Sequence, residues 1–240
     1  MNVEIVDDYQ ALSATVAQRI LKNVKEKPDA LICIAGGDTP LGVFKALVEA
    51  SRKGDVDFTQ AAFVGLDEWL GLSKADKGSC REMVWGHFFD HLTLREEQIC
   101  FFDGRTACPA EECQRVDRFI ADRGGISLVV LGIGMNGHIG FNEPGAATDT
   151  YCHVVDLDAV TQSVSAKYFD RQRQVKQGIT LGMKTILEAH AVILMASGEK
   201  KAAIVAQTVR EAATPAIPAT LLKPHPRLQM VVDKPAASRL

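Results

Sequence analysis

The chain has 240 residues, of which 47% are hydrophobic and 24% charged, the make-up of an ordinary soluble globular protein long enough for a substantial core. Its formal net charge of −3 provides no polybasic field, so neither nucleic acid nor a membrane is expected as a partner. The segment Met1-Asn2-Val3-Glu4-Ile5-Val6-Asp7-Asp8 carries no leader pattern, and no apolar stretch approaches the ~20 residues of a membrane span, so a cytoplasmic protein is expected.

Residues 3–6 read as a strand and 9–25 as the amphipathic helix that follows; 30–35 and 41–52 repeat that order. A strand at 61–66, a helix at 80–91, a strand at 99–102 and a helix at 109–123 come next. Strands at 127–131 and 151–157, a helix at 184–190, a strand at 191–196, a helix at 200–213 and a strand at 228–232 complete the chain. Strands alternating with helices imply an α/β fold on a doubly wound, mostly parallel sheet, a modified Rossmann-like arrangement. Runs such as Ser127-Leu128-Val129-Val130-Leu131 suit strands covered on both faces. No repeat, low-complexity tract or Ser/Pro-rich linker interrupts the pattern, so 1–240 is expected to be a single domain.

The six cysteines form no C-x-x-C pair and read as reduced thiols. His87 and His91 have the i, i+4 spacing of a metalloprotease helix, but Phe88 stands where that helix needs glutamate, and no metal site is expected. The unusual residues lie elsewhere. Segments 36–39, 67–68, 132–143 and 197–201 each follow the C-terminal end of a predicted strand, the side on which open α/β sheets bind ligands.

The richest of these segments is Gly132-Ile133-Gly134-Met135-Asn136-Gly137-His138-Ile139-Gly140-Phe141-Asn142-Glu143-Pro144. Its first three glycines fit G-x-G-x-x-G, but Gly140, Asn142 and Pro144 leave no room for the helix that a dinucleotide fingerprint requires. A histidine and a carboxylate at the mouth of a strand suit general acid–base chemistry instead. Upstream, Gly36-Gly37-Asp38-Thr39-Pro40 reads as a helix start with Thr39 as N-cap and Pro40 at N1, whose free N–H groups could cradle a phosphate.

Gly137-His138-Ile139-Gly140-Phe141-Asn142-Glu143-Pro144 resembles the signature loop of the amino-sugar-phosphate isomerase/deaminase family. Gly37-Asp38-Thr39-Pro40-Leu41-Gly42 and Leu66-Asp67-Glu68-Trp69-Leu70-Gly71-Leu72 match further blocks of that family in the right order. The resemblance implies a cofactor-free enzyme that converts a hexosamine 6-phosphate into a ketohexose 6-phosphate and ammonia. It implies hydrolase, isomerase and deaminase roles in amino-sugar metabolism, with a small sugar phosphate as partner and homo-oligomerisation left open.

By the resemblance Asp67 is the base that carries a proton between C2 and C1, and His138 opens the sugar ring with Glu143 orienting its imidazole. The family's usual aspartate two residues before the histidine is Asn136 here, which is expected to hold the ring by a hydrogen bond without a charge. With Trp69 in the aspartate block, this points to the galactosamine-6-phosphate branch, with glucosamine 6-phosphate as the alternative. Gly36, Gly37, Asp38 and Thr39 are expected to meet the phosphate together with Lys201 and Lys167, the latter placed through Tyr168-Phe169-Asp170 where the family has arginine. Asp38 is expected to turn outward and cap the helix beginning near Pro40. A 6-phosphogluconolactonase and a non-catalytic sugar-phosphate sensor remain as alternatives.

Overall fold

A computed structural model describes residues 1–165, 167–169 and 175–240. The first half runs β1 (Asn2–Val6), α1 (Tyr9–Glu26), β2 (Leu31–Ile34), α2 (Leu41–Lys53), β3 (Ala62–Gly65), β4 (Asp67–Trp69), α3 (Cys80–His87), β5 (Ile99–Cys100) and α4 (Pro109–Ala121). The second half runs β6 (Leu128–Gly132), β7 (His153–Asp156), α5 (Ala159–Ser165), β8 (Gln177–Thr180), α6 (Met183–Leu187), β9 (Val192–Ala196), α7 (Ala202–Arg210) and β10 (Leu228–Asp233).

Seven strands form one parallel sheet in the order β1-β10-β9-β6-β2-β3-β5. Its central strands are apolar without interruption because both faces are covered. Ile32 and Ile34 pack with α1, α2 and α3, while Leu31 and Cys33 pack with α4, α6 and α7. This is the doubly wound, mostly parallel α/β sheet that the alternation of elements predicts. Its strand order reverses between β2 and β6: the chain leaves β2 toward β3, whereas β6 leads to β9. A crevice outside the strand ends is expected at such a reversal.

The strand predicted at 151–157 does not join this sheet. It shortens to β7 and pairs antiparallel with β8, which pairs antiparallel with β4, in a separate three-stranded sheet. Alternating exposure along His153-Val154-Val155-Asp156 marks a strand covered on one face, unlike the fully buried Leu31–Ile34. The helix predicted at 80–91 ends at His87, because Phe88 leaves helical geometry (φ −136°, ψ −68°), and one 3-10 turn follows at Phe89–His91. Among the described residues, no helix is long and apolar enough to cross a membrane.

Candidate active site

The small sheet exists at the right place to hold a carboxylate. After β3, Leu66 is tied on both sides, donating its N–H to the Ile34 carbonyl at 2.9 Å and accepting from the Leu181 N–H at 2.8 Å. The next residue, Asp67, starts β4 opposite Thr180 and is buried in the wall of the crevice. Burial pushes its carboxyl up to about 6, with a hydrogen bond from the Cys80 thiol and the charge of His138 working the other way. A carboxyl titrating near neutrality in a cleft is suited to taking and returning a proton.

Glu68 does something else. Its carboxylate accepts from the backbone N–H groups of Trp69, Cys80 and Arg81 at 2.8, 3.0 and 2.8 Å, tying β4 to the first turn of α3. Burial pushes Glu68 up to about 8, opposed by those three amides. The Ser79 hydroxyl takes the next amide of that turn, from Glu82, at 2.9 Å. Glu68 therefore braces the strand that presents Asp67.

Beside Asp67, the glycine-rich loop after β6 docks on β8. Phe141 donates its N–H to the Thr180 hydroxyl at 3.2 Å, and the Asn142 carboxamide donates to the carbonyls of Leu181 and Ile139 at 2.8 and 2.9 Å. His138 is thereby stacked on Gly134, where a Cβ would fall on the imidazole. Its Nδ1 lies 2.9 Å from the Thr161 hydroxyl and 3.3 Å from Glu143 Oε2. With Nδ1 so held, Nε2 has no hydrogen-bond partner among the described residues and is the nitrogen left to exchange a proton with a ligand. Burial works to raise Glu143, but the hydrogen bond and charge of His138, with hydrogen bonds from Thr161 and Asn136, outweigh it, so its carboxyl sits below the ordinary range.

The third wall is cationic. Lys201, at the end of a 3-10 turn (Glu199–Lys201) after β9, donates to the Ile133 carbonyl at 2.6 Å. Burial and the nearby charge of Lys167 push it down to about 8. Two ammonium groups close enough to repel, beside the turn 36–39, form a site that an anion would relieve. The resulting cleft of about 690 Å³ brings Gly36, Gly37, Asp38, Thr39, Asp67, His138, Lys167 and Lys201 together. A groove of about 880 Å³ runs beside it along α2, sharing only Asp38, Thr39 and Ser197 with the cleft and holding neither Asp67 nor His138.

Several expectations need correction. Thr39 does not cap α2: Pro40 occupies the cap position with no side-chain hydrogen bond, because a turn from Asp38 to Leu41 precedes the helix. The Gly42 amide is taken instead by the Tyr9 hydroxyl at 2.8 Å. Asp38 does not cap the helix either; its Oδ2 lies 2.7 Å from Lys167 Nζ. Asn136 does not touch the imidazole: its Oδ1 accepts from the His138 backbone N–H at 3.2 Å, and its Nδ2 donates to Glu143 at 2.9 Å. Asp170, one anchor used to place Lys167, lies outside the described residues. Sequence reasoning does not reach Cys80, Asp158 or Thr161. Thr161 and Asp158 belong to the start of α5, whose one signal is an aspartate before a short Ala-Val-Thr run; Cys80 carries no local signal, since only the fold brings it to Asp67.

The sequence model of the family described as glucosamine-6-phosphate isomerases/6-phosphogluconolactonase matches residues 7–231. The chain belongs to this family. A glucosamine-6-phosphate deaminase of Bacillus velezensis is 40% identical over 238 residues, 99% of this chain and 99% of its own. One of Thermoanaerobacter pseudethanolicus is 37% identical over 239 residues, 99% of this chain and 94% of its own. A solved monomeric glucosamine-6-phosphate deaminase superposes with a TM-score of 0.97 at 32% identity over 100% of both chains. The 6-phosphogluconolactonase of Trypanosoma brucei, at 19% identity and a TM-score of 0.79 over 100% of this chain and 98% of its own, shares the fold.

This member of the family is an enzyme of the isomerase/deaminase kind, as its full-length relatives are. The hydrolase role expected from the sequence is overturned, because those relatives are deaminases. None of them is named for galactosamine.

Proposed function

We propose that this enzyme isomerises and deaminates glucosamine 6-phosphate, giving a ketohexose 6-phosphate and ammonia. The observation that carries the reading is that Asp67, His138, Lys167 and Lys201 line one cleft. The phosphate is held by the turn 36–39 and the two lysines, which fixes the sugar's reacting carbons at a constant distance from the anion. His138 gives a proton to the ring oxygen as the anomeric hydroxyl loses one, and the pyranose opens to the aldehyde. Asp67 removes the C2 proton to form an enolamine and returns it at C1. The resulting imine at C2 takes up water and releases ammonia, leaving the ketone. One carboxylate near neutral pKa serves both halves of the proton transfer.

The relatives favour glucosamine over galactosamine as the sugar. The two residues that point to galactosamine in the sequence have partners within the protein, although Trp69 also lines the cleft. Trp69 packs against Phe141 and Phe169, with ring centroids 4.5 and 5.5 Å apart, and Asn136 bonds to backbone and carboxylate groups. Ammonium and ketose phosphate are to be assayed with glucosamine 6-phosphate, galactosamine 6-phosphate and 6-phosphogluconolactone. Ammonium from glucosamine 6-phosphate at the highest kcat/KM is expected. A higher kcat/KM for galactosamine 6-phosphate overturns the choice of sugar, and no ammonium from either hexosamine overturns the reaction.

A further inference from the structure

The neutral residue at position 136 is matched by a carboxylate from another element. Asn136 Nδ2 donates both to Glu143 Oε2 at 2.9 Å and to Asp158 Oδ1 at 3.3 Å. The carboxamide orientation is fixed, since its Oδ1 accepts from the His138 N–H, and a flipped amide would oppose oxygen to two carboxylates. Asp158 closes the arrangement from its own side. Its backbone N–H donates to Glu143 Oε1 at 3.3 Å, and its Oδ1 accepts from the Val160 N–H at 2.8 Å at the entry to α5. One turn further, the Thr161 hydroxyl lies 2.9 Å from His138 Nδ1. The glycine-rich loop and the start of α5 are thus joined around Glu143, with Asn136 as the bridge between two acids.

We infer that Asp158 is a positioning residue for the His138–Glu143 pair, supplying through the Asn136 carboxamide the anionic support that an aspartate at 136 would give directly. An aspartate at 136 would crowd three carboxylates into this cluster; an amide there lets two coexist. The two positions form a unit in which one is acid and the other amide, and exchanging them keeps both the charge and the number of donors. Among the described residues, the charged groups facing His138 are Glu143 from its own loop and Asp67 from β4, while Lys201 faces the loop from after β9 and the Asp158 carboxylate reaches the pair through Asn136. The catalytic consequence rests on the deaminase reading; the placement of Glu143 does not.

The test is a two-by-two set: wild type, Asp158→Asn, Asn136→Asp and the double exchange. Kinetics give one readout, and the downfield proton of His138 Nδ1–H in the unliganded protein gives another that needs no substrate. Each single variant is expected to lose about tenfold in kcat with KM within about twofold, and the double variant to return to within about threefold of wild type. The Nδ1–H resonance should shift upfield or broaden in Asp158→Asn and return in the double variant. Singles that keep wild-type kcat and resonance, or a double variant no better than the sum of the singles, overturn the inference. If wild type releases no ammonium, the reaction is wrong, and the resonance series still decides the role of Asp158.

Discussion

Asp38 and Lys167, 129 residues apart in sequence, form an ion pair of 2.7 Å in the lining of the cleft. The pair sets a carboxylate against the cation that a phosphate would use. Lys167 is held above the ordinary lysine range: burial lowers it, but the hydrogen bonds to Asp38 and Tyr168 outweigh that effect. A phosphate must displace the Asp38 carboxylate from Lys167 or share the ammonium with it. Both side chains are about half exposed (62% and 49%), so solvent screening keeps the competition small. Asp38→Ser should lower KM two- to fivefold, about 0.4–1 kcal/mol, with kcat unchanged and the gain shrinking in high salt. Initial-rate assays at low and high salt check this; an unchanged KM would mean that the pair opens without cost.

Asp67 makes a two-sided prediction. As the base it must be ionised, so kcat/KM should fall tenfold per pH unit below a limb near 6. Its folded pKa lies above its unfolded one, so the folded state binds the proton more tightly between about pH 4 and 6, and stability falls as pH rises through that window. At neutral pH the buried charge therefore costs on the order of 2–3 kcal/mol. Asp67→Asn should abolish deamination while raising the urea midpoint at pH 7, with little gain at pH 4. A variant both inactive and destabilised at pH 7 would show that the carboxylate holds the fold together.

The parallel sheet is legible in the sequence because its central strands are short, uninterrupted apolar runs, as in Leu31-Ile32-Cys33-Ile34. The site is legible wherever a single loop carries its own chemistry, as 132–143 does. What escapes depends on contacts between distant segments. β4 is three residues long and exists because β8 pairs with it. Cys80 meets Asp67 only when α3 docks on β4. The direction of Asp38 defeats local rules, which favour an acid at a helix N-terminus, because Lys167 from across the cleft offers a full charge.

Lys201 should set an alkaline limb on binding. It titrates near 8 without ligand, lowered by burial and by Lys167, and a bound phosphate dianion would favour its charged form. Substrate binding above pH 8 should therefore take up a proton, and KM should rise with pH from about 8 while kcat stays flat. Lys201→Met should raise KM by roughly 10- to 100-fold, as expected for a charge-assisted hydrogen bond of about 1.5–3 kcal/mol. Lys201→Arg keeps the charge at all these pH values and should remove the limb. Calorimetry in buffers of different ionisation enthalpy measures the proton uptake directly; none at pH 8.5 would separate Lys201 from the phosphate.

Gly134 offers the narrowest test of the histidine. The imidazole of His138 lies against its Cα, and any Cβ there would overlap Cδ2, Nε2 and Cε1 of the ring. The ring cannot retreat freely, since its Nδ1 is held by Thr161 and Glu143. Gly134→Ala must therefore push the imidazole toward the cleft or break its contact with Glu143. Either movement displaces Nε2 by a fraction of an ångström to an ångström, and misplacement on that scale costs about 10²-fold. The variant should lose about that factor in kcat, close to His138→Gln, which is expected to lose ~10²–10⁴. KM should change less than kcat, because the turn 36–39 lies on another element, although Lys201 bonds to the carbonyl of the neighbouring Ile133. Substrate supplied already in its open-chain form should recover much of the loss in both variants, since only ring opening needs Nε2. Wild-type kcat in Gly134→Ala would mean that the imidazole position is not what limits the reaction.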